Sequence, residues 1–163
     1  MVTPQSHTLH IRRAEDADAS RISDLILGLV PYFTIHPDGQ GAEVFLESVN
    51  TKGVQGFLQS AQFDYFIAEY QNQIAGVVAL RDNSHLYHLF VAPQFHGLGF
   101  GRQLWQFLLD FAKHKNTNQN LTSITVNSSI NAVAMYRHFG FEPTSERQEM
   151  HGLAFVPMAL QLR

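Results

Sequence analysis

Residues 94–102 read QFHGLGFGR. Gly97, Gly99 and Gly101 alternate between a strand-like run and a helix-like run, with Arg102 directly behind them. Glycine weakens any regular element it occupies, so this spacing calls for a reason, and the simplest is a ligand that must approach the backbone. A dinucleotide fingerprint needs glycine at the first, third and sixth positions and an acid about 20 residues further on. Counted from Gly97 the sixth position is Arg102, and residues 116–120, NTNQN, hold no acid. A P-loop needs a Gly-Lys-Ser/Thr triplet, which the chain lacks. A turn with positive φ usually needs only one glycine. What remains is a loop whose exposed N–H groups, with the following helix N-terminus, grip a phosphate or pyrophosphate. Arg102 would add a charge-assisted bond to the same anion.

Outward from the loop, HLYHLFV (85–91) reads as a strand. Leu104, Phe107, Leu108 and Phe111 mark a helix over 102–115, with Lys113, His114 and Lys115 in its last turn. LTSITV (121–126) is the next strand, so a helix-length connection makes 85–91 and 121–126 parallel neighbours. INAVAMYRHF (130–139) reads as a helix capped by Ser128 or Ser129 and ended by Gly140. Upstream, FDYFIAEY and QIAGVVALRD form a hairpin through Gln71-Asn72, and Asp82-Asn83-Ser84 turns the chain again. TLHIRRA (8–14) is a short strand. Glu15, Asp16 and Asp18 then open a helix carrying Ile22, Leu25, Ile26 and Leu29, which stops before Pro31. PYFTIHPDGQG is expected to be a loop, 42–60 a weaker helix interrupted near Gly53, and the last two strands flank Gly152. The expectation is a mixed α/β (α+β) sheet of about seven strands, mostly antiparallel with one parallel pair, flanked by about four helices. Its ligand belongs at the carboxyl ends of the parallel pair.

Composition narrows the class. The 163 residues, 45% apolar and 15% charged, suit one globular domain spanning 1–163. A net charge of −3 offers no basic footprint for nucleic acid or anionic lipid. The absence of cysteine excludes disulfides, thiolate metal sites and a cysteine nucleophile. LILGLVPYF, the longest apolar-rich stretch, is too short for a membrane span, and MVTPQSHTLH lacks a secretory pattern. A soluble, cytoplasmic protein is expected, with no nucleic-acid or membrane partner.

Gln94-x-x-Gly97-x-Gly99, following LFVAP, resembles the acetyl-CoA motif of the GNAT superfamily of acyl-CoA-dependent N-acyltransferases. VNSSINAVAMYRHFGFEP is similar to that superfamily's second motif at Asn127, Asn131, Tyr136, Gly140 and Phe141. The resemblance runs from HIRRAEDADA to the last strand. It implies that Leu89, Phe90 and Val91 offer backbone groups to the pantetheine arm, lying like an extra strand between two splayed parallel strands. It implies that Leu98, Gly99, Phe100, Gly101 and Arg102 hold the pyrophosphate. Asn131 would bond the cofactor arm and Asn127 would lie beside it. Tyr136 would stand near the thioester sulfur as general acid. Acetyl-CoA is the implied acyl donor, with no metal, and the acceptor is a small-molecule or protein amine. Assembly as a homodimer stays open.

Acyl transfer from a thioester needs an unprotonated amine, a stabilised oxyanion and a departing thiolate. An alkylamine with a pKa of about 10.4 is free in only about one molecule in a thousand at pH 7, so a proton acceptor helps. N–H groups near Phe90 suit the oxyanion. Tyr136 suits the thiolate, although Ala132, Tyr136 and Phe139 at helical spacing also describe an ordinary core face. Many family members carry a glutamate on the strand before the loop, and this strand has none. By alternation His85, Tyr87, Leu89 and Val91 share one face while His88 points away, unless a bulge intervenes. His85 and His88 are therefore poor joint metal ligands. The arylalkylamine branch has histidines where His85 and Tyr87 stand, which makes His85 the leading base; Glu69, Glu149 and a water relay are alternatives. The stretches VPYFTIHPDGQGAEVF and RQEMHGLAFVPM would shape the acceptor pocket. The rival readings are a non-catalytic acyl-CoA-binding module and a transferase for a longer acyl chain.

Overall fold

In the computed structural model the described residues are 8–162. They form one eight-stranded sheet: β1 (His10–Arg13), β2 (Phe63–Tyr70), β3 (Gln73–Arg81), β4 (His85–Val91), β5 (Ser123–Ser129), β6 (Glu142–Pro143), β7 (Gln148–Met150) and β8 (Leu153–Gln161). The order is β1-β2-β3-β4-β5-β8-β6, with β7 also on β8, and only β4–β5 is parallel. The expected parallel pair is thus present. The eighth strand is β6, whose two residues are too few to show any alternation.

The helices are α1 (Ala19–Leu27), α2 (Val30–Phe33), α3 (Glu43–Ser48), α4 (Thr51–Gln59), α5 (Phe100–Lys115) and α6 (Val133–His138). Asp18 does more than complement a helix dipole. Its carboxylate accepts the Glu15 N–H at 2.8 Å and pairs with Arg12, which also reaches Glu69 at 2.9 Å. The hydrogen bond from Arg12 leads the effects that hold the Asp18 carboxyl below its usual range. Part of the expected 31–41 loop is helical, because Pro31 sits in the first turn of α2, where no intrahelical N–H is needed. The break in the 42–60 helix falls at Val49-Asn50, and Gly53 lies inside α4. Asn50 is the cap, accepting the Gly53 N–H at 2.8 Å, and a Cβ at Gly53 would collide with the Ser48 carbonyl. Neither Ser128 nor Ser129 caps the last helix; Ser128 Oγ donates to the Ser129 carbonyl and a 3-10 turn, Ile130–Ala132, leads in.

Val77, Val78, Ala79 and Leu80 of β3 are fully buried, a continuous apolar run covered on both faces. α5 covers one face, with Phe107 and Phe111 edge-on to Phe66. On the other face Phe57 of α4 packs against Phe63 and Tyr87.

Two departures from regular pairing shape the middle of the sheet. Ala79 pairs with His88 and Leu80 with Leu86, so Tyr87 is an extra residue, a β-bulge. β4 and β5 pair only at His85–Thr125 and Leu86–Val126. Beyond that point β4 follows β3 and β5 follows β8, up to Ser129–Phe155. A gap opens between the two parallel strands.

The segment after α2 is latched onto the β7–β8 turn. Ile35 N–H donates to the Gly152 carbonyl at 2.9 Å, and Thr34 bridges to Leu153. Gly152 has φ +77, and a Cβ there would lie 2.5 Å from the Gly41 carbonyl carbon and 2.6 Å from Ala42 N. Both the backbone conformation and the approach exclude a side chain. Gly152→Ala is expected to destabilise the protein by about 2 kcal/mol or more, measured by denaturant unfolding. An unchanged midpoint would show that the latch is already loose.

Candidate active site

The loop before α5 is built from the strand end outward. Ala92 N–H donates to Ala75 O, a 3-10 turn covers Pro93–Phe95, and the His96 ring Nε2 lies 2.8 Å from the Val91 carbonyl. Gly97 has φ +83 and Gly99 φ +82, and a Cβ at either would meet nothing within 4 Å. These two glycines combine a left-handed backbone with an open outer face. Gly101 has a different reason: its Cβ would sit 3.3 Å from Met135 Sδ, so it lets α5 approach α6. α5 starts at Phe100, and its first N–H groups have no intrahelical partner and face outward with the positive end of the dipole.

A cavity of about 1240 Å³ runs from this loop along the gap between β4 and β5. That exceeds the roughly 300–1,000 Å³ of a site for one small ligand, so two reactants have room. Gly97, Gly99, Gly101 and Arg102 line one end; Asn127, Asn131 and Tyr136 line the β5–α6 side. His85, Tyr87, His88 and Phe90 line the β4 side. Tyr136 is 5% exposed, with its ring edge-on to Phe141 at 5.4 Å and Phe139 at 6.2 Å. It is a core aromatic that also borders the cavity, and burial pushes its phenol above the ordinary range.

The bulge decides the β4 side. It turns Tyr87 and His88 to the same face, where their rings stack at 4.5 Å and 19°. Phe90, two residues on, continues that face beside His88 at 5.3 Å. Simple alternation, with His88 pointing away and Leu89 in line with Tyr87, therefore fails at this strand. His88 is buried, its Nδ1 lies 2.8 Å from the Tyr65 hydroxyl, and burial lowers its pKa to about 3. His85 Nδ1 lies 2.7 Å from Thr125 Oγ1 across the parallel pair. Burial, and then the positive charge of Arg81, lower the His85 pKa to about 4 against an opposing pull from Asp82. Both imidazoles are neutral at pH 7.

The sequence profile described as Acetyltransferase (GNAT) domain matches residues 33–162. The chain belongs to the GNAT acetyltransferase family. Solved structures agree in fold. A GCN5-related N-acetyltransferase from Rhodopseudomonas palustris matches with a TM-score of 0.73 at 19% identity, over 99% of each chain. The PaiA N-acetyltransferase from Thermoplasma acidophilum, solved in complex with coenzyme A, matches with a TM-score of 0.70 at 16% identity, over 95% of this chain and 99% of that one. The ribosomal-protein-S18-alanine N-acetyltransferase from Escherichia coli matches with a TM-score of 0.65 at 16% identity, over 94% of each. No curated protein sequence matches the chain.

In this GNAT domain most of the residues singled out from sequence border the cavity: His85, Leu89, Phe90, Val91, Gly97, Gly99, Phe100, Gly101, Arg102, Asn127, Asn131 and Tyr136. Gln94 and Leu98 do not. Gln94 is exposed on the 3-10 turn, and the Leu98 side chain packs back against the core. The Asn131 side-chain amide is already engaged, donating to the Tyr32 carbonyl at 2.9 Å and tying α2 to the start of the last helix. Glu69 and Glu149, the alternative bases, lie outside the lining. Glu69 is held by Arg12 and Arg21, and Glu149 by Arg147 at 2.8 Å. His88 and Arg81 border the cavity and were not expected there. The signal for His88 was the bulge, which no residue type in HLYHLFV announces. Among the described residues no group of His, Asp or Glu is placed to hold a metal ion, and no helix is long and apolar enough to cross a membrane.

Proposed function

We propose that this GNAT domain, spanning 1–163 and working in the cytoplasm, is an acetyl-CoA-dependent N-acetyltransferase in which a primary amine attacks the thioester directly. The parting of β4 from β5 beyond Leu86 carries this reading, because it leaves β4 backbone groups facing a gap that an extended amide-bearing arm can fill. The open faces of Gly97 and Gly99 at the α5 N-terminus fit a diphosphate. Arg102, exposed in the first turn, supplies a charge-assisted bond.

The acceptor nitrogen bonds to the acetyl carbon, the C–S bond breaks, one proton leaves the nitrogen and the sulfur departs as thiolate. Backbone N–H groups near Phe90 steady the oxyanion, Tyr136 returns a proton to sulfur, and His85 takes the proton from the nitrogen. A neutral imidazole is a weak acceptor against a free ammonium, but the nitrogen becomes acidic as its bond to carbon forms. Binding of acetyl-CoA by calorimetry, followed by an amine screen reading free coenzyme A thiol, tests the whole reading. Binding without turnover of any amine would leave only a binding module.

The lowered His85 pKa moves the expected acid limb. kcat/KM rises with pH as the imidazole loses its proton, so the limb lies near pH 4 and not at the usual histidine value of about 6.5. His85→Gln is expected to lower kcat/KM by about 10- to 100-fold and to remove that limb. An unchanged profile would return the role to water.

A further inference from the structure

We propose that the acceptor is an amino carboxylate with a large apolar body, its carboxylate held by the guanidinium of Arg81; this rests on the acetyl-transfer reading above. Arg81 ends β3 directly across from His85 and borders the cavity. Its guanidinium lies 5.0 Å from the centroid of the Tyr87 ring. The Nε atom is buried and makes no hydrogen bond. The Asp82 carboxylate stands 3.5 Å from it, on a side chain 57% exposed, too far and too wet to satisfy the donor. Arg81 is thus a cation whose ion-pair partner is an exposed carboxylate, and its side chain borders the end of the cavity where His85 sits.

No aspartate or glutamate among the described residues lines the cavity. The other lining arginine, Arg102, belongs to the glycine-loop end, where it lies 5.7 Å from the Phe139 ring. The rest of the polar lining is neutral amide and hydroxyl side chains and histidines, of which those on β4 are held neutral. A polycationic acceptor would enter this space with its charges uncompensated and beside Arg81. An amine that carries a carboxylate brings a counter-charge suited to the planar guanidinium fork. Its ammonium then loses a proton more readily near the Arg81 charge, which favours the nucleophilic form. Phe33, Phe45, Tyr87, Phe90, Leu153 and Phe155 form walls fitted to an aromatic or branched aliphatic body.

Matched pairs test this with acetyl-CoA as donor: phenylalanine against phenethylamine, tyrosine against tyramine, leucine against isopentylamine, with spermidine alongside. The wild-type protein is expected to use the carboxylate-bearing member of each pair at least about tenfold better in kcat/KM, through KM. Arg81→Gln should bring each ratio to within about threefold of one, and Arg81→Lys should restore part of the preference. Acetyl-CoA affinity of both variants reports that they are folded. Preference for the decarboxylated amines or for spermidine overturns the proposal. So does calorimetry in which coenzyme A-loaded protein binds none of the three amino acids. Failure to bind coenzyme A at all would instead sink the acetyl-transfer reading.

Discussion

Gly99→Val is expected to weaken acetyl-CoA binding by more than about 100-fold while the protein stays folded. Gly99 holds φ +82 as the residue before α5, a conformation that a β-branched residue adopts only under strain of about 1–3 kcal/mol. No protein atom lies within 4 Å of the new Cβ, so it points into open space. The added methyl groups instead fill the open face proposed for the diphosphate, and the strained turn re-aims the N–H groups behind it. Calorimetry gives the affinity, and circular dichroism with thermal melting gives the fold. Gly101→Ala is the internal comparison. Its Cβ meets only the flexible Met135 sulfur at 3.3 Å, so binding should fall far less. Undiminished binding by folded Gly99→Val protein would remove the loop from the cofactor site.

Tyr136→Phe is expected to lower kcat by about 10- to 100-fold with acetyl-CoA affinity and melting temperature nearly unchanged. A thiol pKa near 8.5 makes the thiolate a fair leaving group, so the acid helps without being indispensable. Proton transfer from an ordinary tyrosine of pKa about 10 is already some 1.5 units, or about 2 kcal/mol, uphill. Burial raises the Tyr136 phenol further, which keeps the expected effect at the low end for a general acid and puts its own titration beyond the working pH range. The ring contacts with Phe139 and Phe141 survive in phenylalanine. If kcat holds while chemistry limits turnover, Tyr136 serves only as a core aromatic.

The order of elements, the one parallel pair and the glycine loop were legible because each rests on local pattern. Strand period, helical spacing and loop glycines are properties of short windows. What was hidden depends on partners distant in sequence. Nothing in HLYHLFV reveals that Tyr87 is unmatched on β3, yet that extra residue brings His88 into the cavity and shifts Leu89 off the Tyr87 face. Gly101 looked like its two neighbours but answers to Met135 on another helix. Glu69 and Glu149 were credible bases by type alone, and their arginine partners, visible only in three dimensions, occupy them. In the sequence Arg81 is simply the end of a hairpin strand. That its Nε is buried without a hydrogen bond is a fact of packing that composition does not carry.

The short β4–β5 pairing also has a mechanical meaning. Two residue pairs, His85–Thr125 and Leu86–Val126, join a half-sheet of β1 to β4 with a half-sheet of β5 to β8. Such a seam is a cheap line along which the two halves can breathe, since opening it exposes few hydrogen bonds compared with the long β2–β3, β3–β4 and β5–β8 boundaries. The hydrogen bond between His85 Nδ1 and Thr125 Oγ1 lies on that seam, so the proposed base and the hinge are one structure. An extended ligand between the strands would supply the missing rungs. Donor binding would then stiffen the sheet across this short joint and fix the histidine in the same event, making the cofactor a temporary ninth strand of the fold.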